Sequence, residues 1–148
     1  LAARLHAARE SGTPLWLMFL DLDHFKSIND RHGHAVGDVC LKAVGDILRK
    51  HVRAGDLIAR YGGEEFVLMI EGAGAQRALD AAESLRAAVN VKPHRIVLRV
   101  SIGLSELRAE DEAAELLARA DAALYRAKQN GRNRVEADFA DKPGVSAP

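Results

Sequence analysis

The hydrophobic and polar positions divide the chain into alternating helical and extended segments. LAARLHAARE (1–10) carries apolar residues at helical spacing and stops at Ser11-Gly12-Thr13-Pro14. LWLMFLDLD (15–23) is apolar almost throughout until its last residues, which predicts a strand covered on both faces. HFKSINDRHG (24–33) reads as a short helix and turn. From His34 to Val52, apolar Val36, Val39, Ala43, Val44, Ile47 and Leu48 recur at steps of three and four, predicting a long helix with one buried stripe. DLIARY (56–61) and EFVLMI (65–70) predict two strands joined by a tight hairpin at Gly62-Gly63. AQRALDAAESLRAAVN (75–90) is a second amphipathic helix, and RIVLRVSIGLSEL (95–107) predicts another strand. A last helix is expected over 111–130, with Ala113, Leu116, Leu117, Ala120, Leu124 and Ala127 on one face and Gly131 as its C-cap. RVEA (134–137) predicts a short edge strand, and DKPGVSAP (141–148) a flexible tail.

This order mixes helices with a hairpin inside one sheet. It predicts an α/β fold of the α+β palm type: a central, mainly antiparallel five-stranded sheet flanked by helices, as in ferredoxin-like folds. The expected boundaries are one domain over 1–140 and the tail beyond it.

Composition narrows the partners. A chain of 148 residues is long enough for one domain burying about two thirds of its unfolded surface. Lys+Arg and Asp+Glu both total 21, so the net charge is zero, which argues against a nucleic-acid polymer or an anionic membrane as partner. A small anionic ligand held by a few local cations remains open. Cys40 is the single cysteine and lies in the apolar stripe of a helix, so it reads as a packing residue in a reducing compartment. Because the chain opens on Leu1, it is expected to be part of a longer protein, with any sensor or membrane anchor upstream.

The chemistry concentrates at strand ends. Asp21 and Asp23 close the first strand and, by the two-residue period, point to the same face. Glu64 and Glu65 sit at the hairpin tip. If the hairpin pairs beside the first strand, three or four carboxylates meet at one sheet edge, where like charges repel unless a hard divalent cation such as Mg²⁺ neutralises them. Taken singly, each acid has a plainer reading: Asp23 as a helix N-cap, a turn glutamate as a solvated charge. The helix that begins after Asp23 offers free N–H groups and a positive dipole end to phosphate, with Lys26 in its first turn. Metal and phosphate seat on one sheet edge together point to a nucleoside triphosphate.

These residues also form a known pattern. GGEEF (62–66), preceded by RYGG and by FLDLDHFKSINDRHGHAVGD (19–38), and followed by AKQNGRNR (127–134), resembles the GGDEF domain of diguanylate cyclases. The resemblance covers nearly the whole chain and implies a nucleotidyl-cyclase palm that condenses two GTP into cyclic di-GMP. It implies Mg²⁺, with Mn²⁺ as a substitute, held by Asp21, Glu64 and the Leu22 carbonyl. His24 and Phe25 N–H groups, Lys26, Lys128 and Arg132 would seat the phosphates, and Asn29 and Asp38 would read the guanine edge. Glu64 and Glu65 are both candidates for the catalytic base, and Gly62 and Gly63 would let backbone approach the nucleotide.

The same resemblance implies catalysis by a homodimer in which each domain holds one GTP, under an upstream sensor. It implies product inhibition by cyclic di-GMP at the RAGD turn of Arg53 and Asp56, where arginine offers phosphate or guanine a two-pronged donor. The expected setting is cytoplasmic, whether or not the full-length protein is membrane-anchored. Family members usually open with Asp-x-Leu-Thr-Gly-Leu-x-Asn-Arg-Arg, and this chain begins after that segment. The rival reading is a catalytically silent module that binds GTP or cyclic di-GMP and signals through a partner.

Overall fold

The computed structural model describes residues 1–139, so the tail predicted at 141–148 lies outside the described residues. Its centre is β1 (Leu15–Leu22), all eight of whose residues are buried. A strand with no polar face needs cover on both sides and a neighbour on both edges, and β1 has all four. The sheet order is β2-β3-β1-β4-β5, with β2 (Leu57–Arg60), β3 (Glu65–Glu71), β4 (Val100–Glu106) and β5 (Val135–Asp138). β1 pairs antiparallel with β3 and β4, β2 pairs antiparallel with β3, and only β5 runs parallel to its neighbour β4. The mainly antiparallel five-stranded palm is therefore as expected.

Alternate residues of β1 build two cores. Trp16, Met18, Leu20 and Leu22 pack under α2 (Phe25–His32), α3 (His34–His51) and α4 (Ala75–Val89), meeting Phe25, Ile28, Cys40, Val44, Leu48 and Leu85. Leu15, Leu17 and Phe19 face the other way, onto Leu5 and Ala8 of α1 (Ala2–Ser11) and Leu116, Ala120 and Leu124 of α5 (Ala113–Gln129). Each such side chain contributes roughly 1.5–3 kcal/mol of burial, so a one-residue slip of β1 is strongly resisted. That register decides the site: Asp21 belongs to the odd set and emerges on the α5 side.

Gly103 sets how closely α5 lies on the sheet. A Cβ there would stand 2.1 Å from the Ala120 carbonyl oxygen and 2.3 Å from the Leu124 nitrogen, both helix backbone. Only glycine lets α5 come this near β4.

Three expectations need correction. The strand predicted over 95–107 is paired only from Val100 to Glu106, and Pro93–Arg95 is a single 3-10 turn. β1 ends at Leu22 opposite Val100, so the residues before Val100 have no strand to pair with. The connection at Gly62-Gly63 is not a tight two-residue turn. Pairing stops at Arg60–Phe66 and neither glycine has a positive φ, so the chain makes a wider loop closed by the Tyr61 N–H on the Glu65 carbonyl at 2.8 Å. Finally, α5 is capped by Asn130, and Gly131 follows it with φ 119°.

Candidate functional site

The β1–β3 register places Asp21 directly across from Glu65. The Leu22 N–H donates to the Glu64 carbonyl at 3.2 Å, which holds the hairpin loop against the end of β1. Asp21 is 5% exposed, and its Oδ2 accepts a hydrogen bond from Lys128 Nζ of α5 at 2.7 Å. The Glu64 carboxyl lies close enough for the two acids to feel each other's charge. Three acids and one lysine thus share a half-buried corner.

Their protonation shows the imbalance. Burial pushes Asp21 above the usual carboxylate range, and the Lys128 hydrogen bond and charge only partly offset it. Glu64 is raised by burial and then by the neighbouring Asp21 charge. Glu65 is raised for the same two reasons. A corner short of positive charge suits a hard cation with oxygen ligands, and Asp21, Glu64 and the Leu22 carbonyl are the donors that would hold it. Among the described residues, no group of three or more His, Cys, Asp or Glu forms a ready-made metal cage.

Asp23 does not join this corner as a ligand, nor does it cap α2. Its carboxylate accepts from Ser101 Oγ at 2.6 Å and from the Asn133 N–H at 2.9 Å, tying β4 and the loop after α5 to the end of β1. The residue at the α2 N-cap is His24, in the left-handed region at φ 57°, and no side chain caps the helix. The first-turn N–H groups of α2 are therefore uncapped, a seat for an anion beside the acidic corner. Phe25 is buried as an anchor, whereas Lys26 is exposed and has no acid partner among the described residues. Arg132 follows α5 with φ 64° and lines a cleft together with His24.

Asn29 and Asp38 come from α2 and α3. Asn29 Oδ1 is buried without a hydrogen-bond partner, and it lies where a Cβ on Gly37 would stand 1.8 Å away. Gly37 thus makes room for a polar atom that still lacks a donor. Asp38 is exposed and lines a neighbouring cavity of about 620 Å³ with Arg60 and Phe66. At the hairpin loop, Arg60 donates to the Gly62 carbonyl at 3.2 Å and the Gly63 carbonyl at 2.6 Å. A Cβ on Gly62 would stand 2.6 Å from Glu65 Oε1, so that glycine gives the glutamate its place, while Gly63 opens on free space.

A profile of the family described as "Diguanylate cyclase, GGDEF domain" matches residues 1–134. The chain belongs to the GGDEF domain family. This GGDEF domain is 41% identical over 137 residues to diguanylate cyclase A of Treponema denticola, covering 88% of the chain and 37% of that protein. It is 40% identical over 139 residues to diguanylate cyclase DgcP of Pseudomonas aeruginosa, covering 90% of the chain and 20% of the relative. The chain therefore spans well under half the length of these curated relatives. Among solved structures, the GGDEF domain of DgcB from Caulobacter crescentus in complex with c-di-GMP superposes with TM-score 0.87 at 35% identity, covering 92% of this chain and 85% of that one. The active GGEEF domain of a diguanylate cyclase from Vibrio cholerae gives TM-score 0.86 at 32% identity, covering 92% and 90%.

In this GGDEF domain Lys128 rests on Asp21 rather than standing free for phosphate. Arg53 and Asp56 form a turn of their own: the Arg53 N–H donates to Asp56 Oδ2 and the Asp56 N–H to the Arg53 carbonyl, each at 3.0 Å. They line a small pocket with Arg77 of α4. Two functional candidates escaped sequence reasoning. Arg60 stands in the quoted RYGG and could have been found by asking what satisfies the carbonyls of an open loop. Arg77 carried no local signal, because only the packing of α4 brings it to the Arg53 turn.

Proposed function

We propose that this GGDEF domain is a Mg²⁺-dependent diguanylate cyclase that condenses two GTP into cyclic di-GMP and releases two pyrophosphates. The observation that carries the reading is the corner where the buried Asp21 meets the Glu64-Glu65 loop, beside the uncapped start of α2. When bound there, Mg²⁺ would supply a Lewis acid at the phosphates and would lower the pKa of the attacking hydroxyl.

The chain's own groups do the rest. The N–H groups of His24 and Phe25, with Lys26 and Arg132, seat the terminal phosphates. Lys128, bonded to Asp21 in this structure, would turn to the same anion. Asn29 offers its unpartnered acceptor, and Asp38 its carboxylate, to the N1–H and N2–H₂ donors of guanine. In the reaction a 3′-hydroxyl oxygen bonds to the α-phosphorus of the other GTP, and the bond from that phosphorus to the β-bridging oxygen breaks. The hydroxyl proton passes to a carboxylate, Glu64 or Glu65, both of which burial makes stronger bases.

Each domain holds one GTP, so two must face each other, and catalysis depends on how the dimer is positioned. Upstream segments of a longer protein are the natural place for that control, in the cytoplasm where GTP is available. The turn of Arg53 and Asp56, with Arg77, is the inhibitory cyclic di-GMP site. A structural relative at 35% identity is described in complex with c-di-GMP, which supports product binding by a domain of this fold.

The test is to incubate the full-length protein with GTP and Mg²⁺ and assay cyclic di-GMP, then repeat with Glu64→Gln. The parent is expected to form product. The variant, which keeps the shape and removes the charge, is expected to lose at least a hundredfold in rate and to bind Mg²⁺ more weakly in the presence of a non-hydrolysable GTP analogue. Tight nucleotide binding with no product from the parent transfers the assignment to a silent binding module.

A further inference from the structure

The arginines of this chain fall into two groups. Most are held: Arg4, Arg9, Arg49, Arg86, Arg108 and Arg119 pair with acids. Arg60, Arg126 and Arg134 donate to backbone carbonyls. The remaining guanidiniums have neither a hydrogen bond nor an ion pair among the described residues, and they divide between two pockets. Arg53 and Arg77 line the small pocket already assigned to the inhibitor. Arg31, Arg95, Arg99 and Arg132 line one cleft of about 810 Å³.

That concentration is made by the fold. Four like charges come from three separate segments: the end of α2, the stretch before β4 and the loop after α5. The acid lining the same cleft, Asp23, is 8% exposed and already accepts from Ser101 Oγ and the Asn133 N–H. In a chain of zero net charge, this is a local positive basin. Arginines without a partner lining one cleft match a polyanion with many acceptor oxygens, which arginine holds two-pronged.

We propose that this cleft binds inorganic pyrophosphate, the second product of the reaction, and that Arg31, Arg95 and Arg99 form its seat. The proposal rests on the cyclase reading, because Arg132 and His24 belong both to the triphosphate seat and to this cleft. The cleft is therefore continuous with the end of the nucleotide that becomes the leaving group. After the α-phosphorus bond breaks, the diphosphate passes from Arg132 to the arginines beyond it and clears the corner at Asp21. Their role is product capture and release rather than chemistry.

The experiment is a calorimetric titration of the full chain with inorganic pyrophosphate in Mg²⁺ buffer, without GTP, for the parent and for Arg95→Ala/Arg99→Ala. The parent is expected to bind one pyrophosphate, more weakly as salt rises, and to bind orthophosphate at least tenfold more weakly. Loss of two charge-assisted contacts is expected to weaken pyrophosphate at least tenfold in the variant. The affinity of a non-hydrolysable GTP analogue should change less than threefold, since both arginines lie beyond the proposed triphosphate seat. Both side chains are exposed, so the fold should survive, and an unchanged thermal midpoint checks that. No saturable pyrophosphate binding, equal binding of orthophosphate, or a variant that binds like the parent each overturns the proposal. Failure of the cyclase reading shows elsewhere, as absence of cyclic di-GMP in the turnover assay.

Discussion

At the scale of single residues, the site depends on side chains placed where their own preferences are poorly met. Asn29 keeps a buried oxygen without a donor, and Gly37 is the reason it fits there. A methyl group at that glycine would stand 1.8 Å from Asn29 Oδ1 and 3.3 Å from Phe25 Cζ, so the asparagine would have to leave. Gly37→Ala is therefore expected to weaken a non-hydrolysable GTP analogue by roughly tenfold, the cost of one lost hydrogen bond of about 1–1.5 kcal/mol, while the chain still folds. Equilibrium titration of the analogue, with circular dichroism of the same sample, checks both halves of that statement. The acids obey the same logic. Burial raises the proton affinity of Asp21 and Glu64, a cost that a stability-optimised corner would avoid and that, on the proposed reading, a bound dication would offset.

At the scale of elements, α5 is the part that must be held still, since it carries Lys128 at one end and leads into Arg132. Gly103 lets it lie against β4, and the β4–α5 connection fixes its start. Asp111, 5% exposed, accepts from Arg119 Nη1 at 2.6 Å, from Arg119 Nη2 at 2.5 Å and from the Arg108 N–H at 2.7 Å. Burial pushes the Asp111 carboxyl up, but these hydrogen bonds and the two arginine charges outweigh it and leave the group below its ordinary value. An acid lowered in the folded state binds fewer protons there than in the unfolded chain. Its contribution is complete above the unfolded pKa and is lost as pH falls toward and through the folded one. The thermal midpoint should therefore drop on acidification below the ordinary Asp range. In Asp111→Ala this contribution should be absent, with about 3 kcal/mol lost at neutral pH because Arg119 is left without its main acid partner. Denaturant melts of both proteins across pH measure the two effects.

At the scale of the whole molecule, one palm offers one nucleotide seat, so turnover on this reading needs two copies. Specific activity should rise with protein concentration until the dimer saturates, and fall as cyclic di-GMP accumulates. Arg53→Ala and Arg77→Ala are each expected to raise the cyclic di-GMP concentration for half-inhibition at least tenfold with the initial rate unchanged, because their pocket is lined by none of the residues of the acidic corner. Inhibition curves at fixed GTP decide this, and a parent-like curve for both variants would remove the pocket from the inhibitory role.

Most of the architecture was legible along the chain. The unbroken apolar run of β1 demanded a central strand, helical spacing marked the long helices, and the acidic and glycine motifs pointed to Asp21 and Glu64 as candidates. Those features are local, and hydrophobic period and backbone preference act over a few residues at a time. Where the linear pattern misled, a missing neighbour was the cause: residues before Val100 look like strand, yet β1 has already ended beside them. The partners of the polar groups were decided only by the fold. Lys128 reaches Asp21 across 107 positions, Ser101 reaches Asp23 across 78, and the Asn133 N–H reaches it across 110. Such pairings, like the meeting of Arg31, Arg95, Arg99 and Arg132, depend on sheet order and on which face of β1 each helix covers. Periodicity tells a side chain which way to point, and only packing supplies what it meets.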